Sequence, residues 1–265
     1  MASAASALHM RGIGKVFPGV KALSGVDLAV RFGTVHAIVG ENGAGKSTLM
    51  KILSGAYAPT TGTIEVAGTE VRMKRPADAQ KLGIRMVHQE LNLVPDLTVA
   101  ENIFLGRMPR RLGFFDRGGM VRRAAAILAE LGAAIDPQQR LGDLSISQQQ
   151  LVEIAKAYAA EPRIIVLDEP TSSLSEHETA ALFRILRKMR DAGIAIIYIS
   201  HRLKEVLDIA DEVTVLRDGA MIETRPASGI TAAEMIRLMV GREVSNVFPK
   251  TPSTIGRQVL RVRNA

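Results

Sequence analysis

The 265-residue chain contains no cysteine and no tryptophan, and its ten other ring residues, 7 Phe and 3 Tyr, bring the aromatic share only to 4%. Without thiols, neither disulfides nor thiolate metal sites are available, so any metal must be held by oxygen or imidazole ligands. The scarcity of aromatic rings leaves few platforms on which nucleic-acid bases would stack. No apolar run approaches the roughly 18 residues that cross a bilayer. Ile194 to Ile199 is short, and the alanine-rich segment from Ala124 carries Glu130. The opening Met1 to Leu8 lacks the basic and apolar parts of a secretory signal, and the expected location is cytoplasmic.

Hydrophobic residues make up 47% of the chain, enough to bury the core of one or two domains. Its 34 Lys+Arg exceed its 27 Asp+Glu by 7, which leaves room for an anionic partner. The basic residues, among them Arg110, Arg111, Arg122, Arg123, Arg163, Arg187 and Lys188, are scattered and form no long run. The excess therefore reads as a solvated surface, and no nucleic-acid partner is expected.

Short continuous apolar runs recur at Val35 to Val39, Arg85 to Val87, Ile164 to Leu167, Ile194 to Ile199 and Val213 to Leu216. Such runs fit strands buried on both faces. Between them, Leu151, Ile154, Ala155 and Tyr158, and again Leu182, Ile185, Leu186 and Met189, repeat with helical spacing. Ser175/Glu178, Thr98/Glu101 and Thr231/Glu234 have the spacing of capping boxes, and Gly193 stands where a helix would end. Gly12 to Phe17 and Val26 to Val30 read as strands of a separate antiparallel layer, and Asp218-Gly219 as a hairpin turn. The predicted fold is α/β, a mixed sheet with an antiparallel β subdomain and an inserted helical subdomain over roughly 93–160, with helices near Val99 to Leu105, Met120 to Leu131 and Gln148 to Ala160.

The stretch Gly40-Glu41-Asn42-Gly43-Ala44-Gly45-Lys46-Ser47-Thr48 follows a buried strand and opens a helical segment, the context a P-loop requires. Its glycines let successive backbone N–H groups turn inward around phosphate oxygens, Lys46 adds a point charge at the β/γ-phosphates, and Ser47 offers a hydroxyl to Mg²⁺. Ile164 to Leu167 runs into Asp168 and Glu169. Neighbours on a strand point to opposite sides, so the two carboxylates take different tasks: Asp168 at Mg²⁺, Glu169 polarising a water for attack on the γ-phosphate. Gln89 and His201 each follow a strand, where polar side chains converge on the ligand crevice of a parallel sheet. Gln89 suits Mg²⁺ or the attacking water, and His201 the γ-phosphate. His9, His36 and His177 read as structural or exposed.

With the stretch Leu144-Ser145-Ile146-Ser147-Gln148 ahead of the Asp-Glu strand, these motifs stand in the order of the ATP-binding cassette family of transport ATPases, which the chain resembles from end to end. VGENGAGKST, HQELNLVPDLTVAENIFLGR, DLSISQQQLVEIAKA, DEPTSSLSEHE and YISHRLKEV are similar to the ATPase subunit of bacterial monosaccharide importers of the ribose/galactose type. The resemblance implies ATP and Mg²⁺ as ligands, Phe17 stacked on adenine, and Ser145 capping ATP bound on a partner cassette. Gln89 becomes the link to the helical subdomain, and His201 the switch histidine. It further implies transmembrane permease subunits, a periplasmic sugar-binding protein as indirect partner, and a place on the inner face of the cell membrane. In that group two cassettes share one polypeptide, so the expected organisation is a cassette over 1–244, a linker over 245–255 and the first strand of a second cassette over 256–265. Two departures stand out: Ile146 and Ser147 replace the glycines of the usual LSGGQ stretch, and Ser175 stands where an aspartate is usual. The competing reading, a nucleic-acid-linked cassette, would call for a long coiled-coil insertion or a basic tract, and the chain has neither.

Overall fold

The structure, a computed structural model, describes residues 6–111 and 114–241; the expected linker and second-cassette strand lie outside them. Two long strands, β1 (Ser6–Phe17) and β2 (Val20–Arg31), open the chain as an antiparallel pair, followed by β3 (Val35–Val39) and α1 (Lys46–Leu53). Then come β4 (Thr61–Val66), β5 (Thr69–Val71), α2 (Pro76–Lys81) and β6 (Ile84–Val87). A helical region follows, with α3 (Val99–Ile103), the small hairpin β7 (Arg110–Arg111) and β8 (Phe114–Phe115), α4 (Arg117–Leu131) and α5 (Ile146–Tyr158). The remainder alternates: β9 (Ile164–Asp168), α6 (Glu176–Asp191), β10 (Ala195–Ile199), α7 (Leu203–Ile209), β11 (Glu212–Arg217), β12 (Ala220–Pro226) and α8 (Ala232–Val240).

The first sheet runs β2-β1-β4-β5 and is antiparallel; the second runs β12-β11-β3-β10-β9-β6, parallel except at its β12 edge. Period-2 alternation sorts the central strands between two cores. Ile165, Leu167, Ile196 and Tyr198 pack with the helical region and α6, whereas Ile164, Val166, Ala195, Ile197 and Ile199 pack with α1 and the antiparallel sheet. A smaller core joins Val213 and Val215 to Val206 and Met235 of α7 and α8. The continuous apolar runs are thus strands covered on both faces, as expected.

All three expected capping boxes form, at Thr98, Ser175 and Thr231, and a fourth forms at Ser145 with Gln148. Each satisfies N–H groups that the first helical turn leaves unpaired. Gly193 follows α6 with φ 88. The region expected to be helical also contains the β7–β8 hairpin, whose strands are two residues each. His36 is structural: it is 1% exposed and bonds Thr214 across 2.7 Å.

The Asp218-Gly219 turn joins β11 to β12 with φ 52 and 76 at its two residues, the positive pair that a tight type I′ hairpin requires. It also touches two other elements, since Gly219 O accepts from Ser24 N at 2.8 Å and Gly219 N donates to Ala44 O at 3.2 Å. A Cβ on Gly219 would meet Ala22 O at 2.7 Å. Gly219→Ala should therefore destabilise the fold by roughly 1–3 kcal/mol, while Asp218→Gly, which removes a side chain from a left-handed residue, should cost little or nothing. Chemical denaturation of the two variants checks this; equal losses would show that the close approach to β2 is immaterial.

Candidate nucleotide site

Three adjacent parallel strands end together. Ile199 of β10 pairs with Ile38 of β3 on one side and with Asp168 of β9 on the other. The segments that follow these strands, the glycine-rich loop, Glu169 and His201, consequently meet at one edge of the sheet. A cleft of about 560 Å³ there is lined by Asn42, Gly43, Gly45, Lys46, Ser47, Thr48, Gln89, Asp168 and Glu169, with Val20 to Ala22 of β2 and the Asp218-Gly219 turn closing one side. A second hollow opens beside it between Gly40, Glu41, Asn42, Glu169 and His201.

The loop is built for this position. Gly45 caps α1 with φ 100, and a Cβ there would strike Leu23 Cδ2 at 2.7 Å and Ala22 O at 3.0 Å, so only glycine lets the loop approach β2. Ala44 is buried and fixes the inner side of the loop, with its N–H on Glu41 O at 3.1 Å. Lys46 is only 8% exposed, and its Nζ donates to Gly40 O at 2.7 Å and Glu41 O at 3.0 Å. Burial lowers its pKa, while Glu169 and Asp168 favour the ammonium and oppose that shift. Asp168 moves the other way: burial and the neighbouring Glu169 raise its pKa, against the pull of His88, Lys46 and Lys51.

Glu169 has a left-handed backbone, φ 48, in a residue type that rarely adopts it. Its N–H on Ile199 O at 2.9 Å and its O on Ser172 N at 3.2 Å hold the turn. The side chain is mostly buried and its Oε1 lies 2.9 Å from His201 Nδ1. Within this contact the carboxylate is the acceptor and Nδ1–H the donor, so the rest of the imidazole is turned away from Glu169.

Not every expected residue joins the cleft. Phe17 pairs with Val20 across the β1–β2 hairpin, but its ring stands edge-on to Tyr57 at 5.4 Å, with Lys15 Nζ 5.1 Å from its centre, and is not among the residues lining the cleft. The half-buried Tyr57 and Lys15 meet Phe17 through tertiary packing, which no local spacing carries. Ser145 lines neither hollow. It caps α5, its Oγ lies 2.9 Å from Ser147 Oγ, and Ile146 beside it is 54% exposed. The nearby Ser147 and the N–H and hydroxyl of Ser175, the latter two donating to Glu178 Oε2 at 2.8 Å, hold the pKa of Glu178 down at about 2.

A separate groove of about 500 Å³ lies between α1, β6 and α5, lined among others by Lys51, Arg85, His88, Arg107, Glu153 and Lys156. His88 faces this groove while its neighbour Gln89 lines the nucleotide cleft. Glu153 is 5% exposed, and burial raises its pKa more than Lys156, 3.3 Å away, lowers it. A carboxyl whose folded pKa is raised stabilises the fold fully below its unfolded pKa and loses that contribution as pH rises through the folded value. Glu153→Gln, neutral throughout, should gain thermal stability relative to the parent between pH 4 and pH 8, with melting curves as the measurement. A gap that widens in the opposite direction would mean that the Lys156 ion pair outweighs burial.

Comparison with known proteins identifies the family and the fold. The family model described as ABC transporter matches residues 23–172. A putative ribose/galactose/methyl galactoside import ATP-binding protein 3 of Agrobacterium fabrum is 78% identical over 262 residues, which cover 99% of this chain and 52% of that protein. Ribose import ATP-binding protein RbsA 1 of Rubrobacter xylanophilus is 50% identical over 256 residues, 97% of this chain and 51% of that protein. The chain thus spans about half the length of the curated relatives it matches. Among solved structures, the ADP conformation of MJ1267, an ATP-binding cassette of an ABC transporter, superposes with TM-score 0.79 at 27% identity over 89% of this chain and 99% of that one. CbiO1 of Clostridium perfringens, part of the cbiONQ transporter complex, gives 0.77 at 25% identity over 87% and 92%. A phosphate loop, a carboxylate pair and a histidine on one sheet edge, in a chain matched this closely, belong to the nucleotide-binding cassette of the ABC transporter family.

Proposed function

We propose that this chain is an ATP-hydrolysing cassette that powers import of a monosaccharide through membrane permease subunits. The observation that carries the chemistry is the meeting of Lys46, Ser47, Gln89, Asp168 and Glu169 in one cleft, with His201 bonded to Glu169. The sugar class rests on the names of relatives that match 96% or more of this chain.

In this reading the N–H groups of Gly43 to Ser47 and the positive end of α1 surround the phosphates, and Lys46 turns from the loop carbonyls to the β/γ-phosphates. The donors on hand fit Mg²⁺: the Ser47 hydroxyl, the Asp168 carboxylate and the Gln89 amide are all hard oxygen ligands. Among the described residues no three His, Cys, Asp or Glu side chains gather as a protein-only metal site, as suits an ion shared with phosphate oxygens. When bound there, Mg²⁺ neutralises charge that builds on the phosphates during transfer. Glu169 accepts a proton from the attacking water, and His201, held by that same carboxylate, presents Nε2 toward the γ-phosphate. Phe17 lies at the rim, opposite Val20, where a base would stack. Ser145 serves a second cassette, in the same polypeptide or another copy, because it lies outside the cleft formed by its own chain.

Among the described residues no helix is long and apolar enough to cross a membrane. Coupling to a membrane therefore needs a docking surface, and the groove beside α5 suits one. Arg85 donates to Gln80 O and Ile84 O, Arg107 to Lys156 O, and neither guanidinium has a carboxylate within ion-pair distance among the described residues. Burial disfavours both charges and Arg107 disfavours Arg85 further. An acidic segment of a permease subunit on the cytoplasmic face would relieve that repulsion.

Lys46→Ala should abolish most ATP affinity in calorimetry. Glu169→Gln should bind ATP normally yet hydrolyse it roughly 10²–10⁴ times more slowly; a variant that turns over like the parent transfers the base role elsewhere. For the groove, Arg85→Glu with Arg107→Glu should lose co-purification with co-expressed permease subunits while nucleotide affinity stays within about twofold. Unaltered permease capture would remove the groove from the docking reading, and capture of DNA in place of permease would favour the nucleic-acid-linked alternative.

A further inference from the structure

Glu205 is a carboxylate in a place where carboxylates are expensive to put. It is 9% exposed, on α7, yet four residues beyond His201 and away from both hollows of the nucleotide site. Three donors converge on it. Thr171 Oγ1 donates to Oε2 at 2.5 Å, Tyr198 OH donates to the same oxygen at 3.0 Å, and Arg202 Nη1 donates to Oε1 at 2.9 Å. Thr171 and Tyr198 are 1% and 0% exposed. A largely buried carboxylate is favoured when its oxygens are matched in this way, and Glu205 also borders a hollow between α6 and α7.

The identity of the donors is what gives the network a function. Thr171 stands two residues after Glu169, and Tyr198 and Arg202 bracket His201 at three residues before and one after. Glu205 thus ties the turn that presents Glu169 to both sides of the loop that presents His201. Arg202 N–H further bonds Ser200 Oγ at 3.0 Å, and Tyr198 is wedged edge-on against Phe183 of α6, so the loop cannot slide along its strand. The catalytic pair itself has one direct link, the 2.9 Å contact between His201 and Glu169, and His201 is otherwise largely in solvent with 58% of its side chain exposed. An exposed imidazole on one bond samples many orientations unless the backbone on either side is held.

We propose that Glu205 is a positioning residue for ATP hydrolysis, which fixes His201 against Glu169 through Thr171, Tyr198 and Arg202. The inference rests on the hydrolytic reading of the cleft. Misplacement of reacting groups by about 1 Å can cost two orders of magnitude in rate without loss of binding. Glu205→Gln keeps the shape but sets an amide N–H₂ against donors. It should lower the hydrolysis rate by about tenfold or more, with nucleotide affinity changed by less than about twofold. Thr171→Val and Tyr198→Phe, which each delete a single hydroxyl, should show smaller losses of the same kind.

The deciding measurement is a double-mutant cycle with His201→Ala, run on the 265-residue chain at one fixed protein concentration. If Glu205 acts through His201, Glu205→Gln costs nothing further once His201 is gone. Losses that multiply, or affinity that falls in step with rate, overturn the proposal and leave Glu205 a residue of the fold alone. Should Glu205→Gln fail to fold, Tyr198→Phe and Thr171→Val run through the same cycle with the same two outcomes. Glu169→Gln serves as the control: parent-like turnover there moves the base role away from Glu169 and so removes the pair that Glu205 would position, whereas an impaired control with a multiplicative cycle brings down only the role of Glu205.

Discussion

The register of three parallel strands is the constraint on which the rest of this molecule depends. Because Ile199 pairs with Ile38 on one side and Asp168 on the other, the ends of β3, β9 and β10 fall level, and the charged segments that follow cannot avoid one another. Each charge alone would be costly where it lies. Burial discourages the Lys46 ammonium and the Asp168 carboxylate alike, and each is partly stabilised by the other. A slip of one residue would point apolar side chains into the site and charges into the two cores. The alternating assignment of Ile164 to Leu167 and Ala195 to Ile199 between those cores is therefore what holds the phosphate-binding edge together.

Two neighbouring residues join the nucleotide cleft to the groove beside α5. His88 and Gln89 directly follow β6, and one lines each cavity. On the proposed function, a change in how Gln89 meets Mg²⁺ or water therefore moves the backbone next to His88, on the wall of the groove beside α5. The opposite side of the site has its own tie, the Glu205 cluster, which joins the Glu169 and His201 loops from beneath.

Much of this was legible in the sequence because the signals are local. Val35–Val39 and Ala195–Ile199 are buried at every position and read as continuous apolar runs, and the capping boxes at Thr98, Ser175 and Thr231 are spelled by residues three apart. The strands Thr61–Val66 and Thr69–Val71 are not legible, since TGTIEV buries only Ile64 and Val66 and looks like a loop. The helix Pro76–Lys81 is too short to show a period, and the Arg110 to Phe115 hairpin has no more than two residues a side. At the site, the loop, the carboxylate pair, Gln89 and His201 could be placed because strand ends converge in a parallel sheet. The Phe17–Tyr57 contact and the Thr171–Glu205 link could not, because each joins residues tens of positions apart with no shared pattern.

Glu169 carries a left-handed backbone that glycine or asparagine would occupy with less strain, a conformation costing of the order of 1–3 kcal/mol in other residue types. Selection for heat resistance alone would therefore find this position early. A library screened for survival at high temperature should become enriched in small or amide residues at 169, and on the proposed function those proteins would hold ATP and turn it over poorly, so the strain at this turn is the cost of placing a carboxylate there.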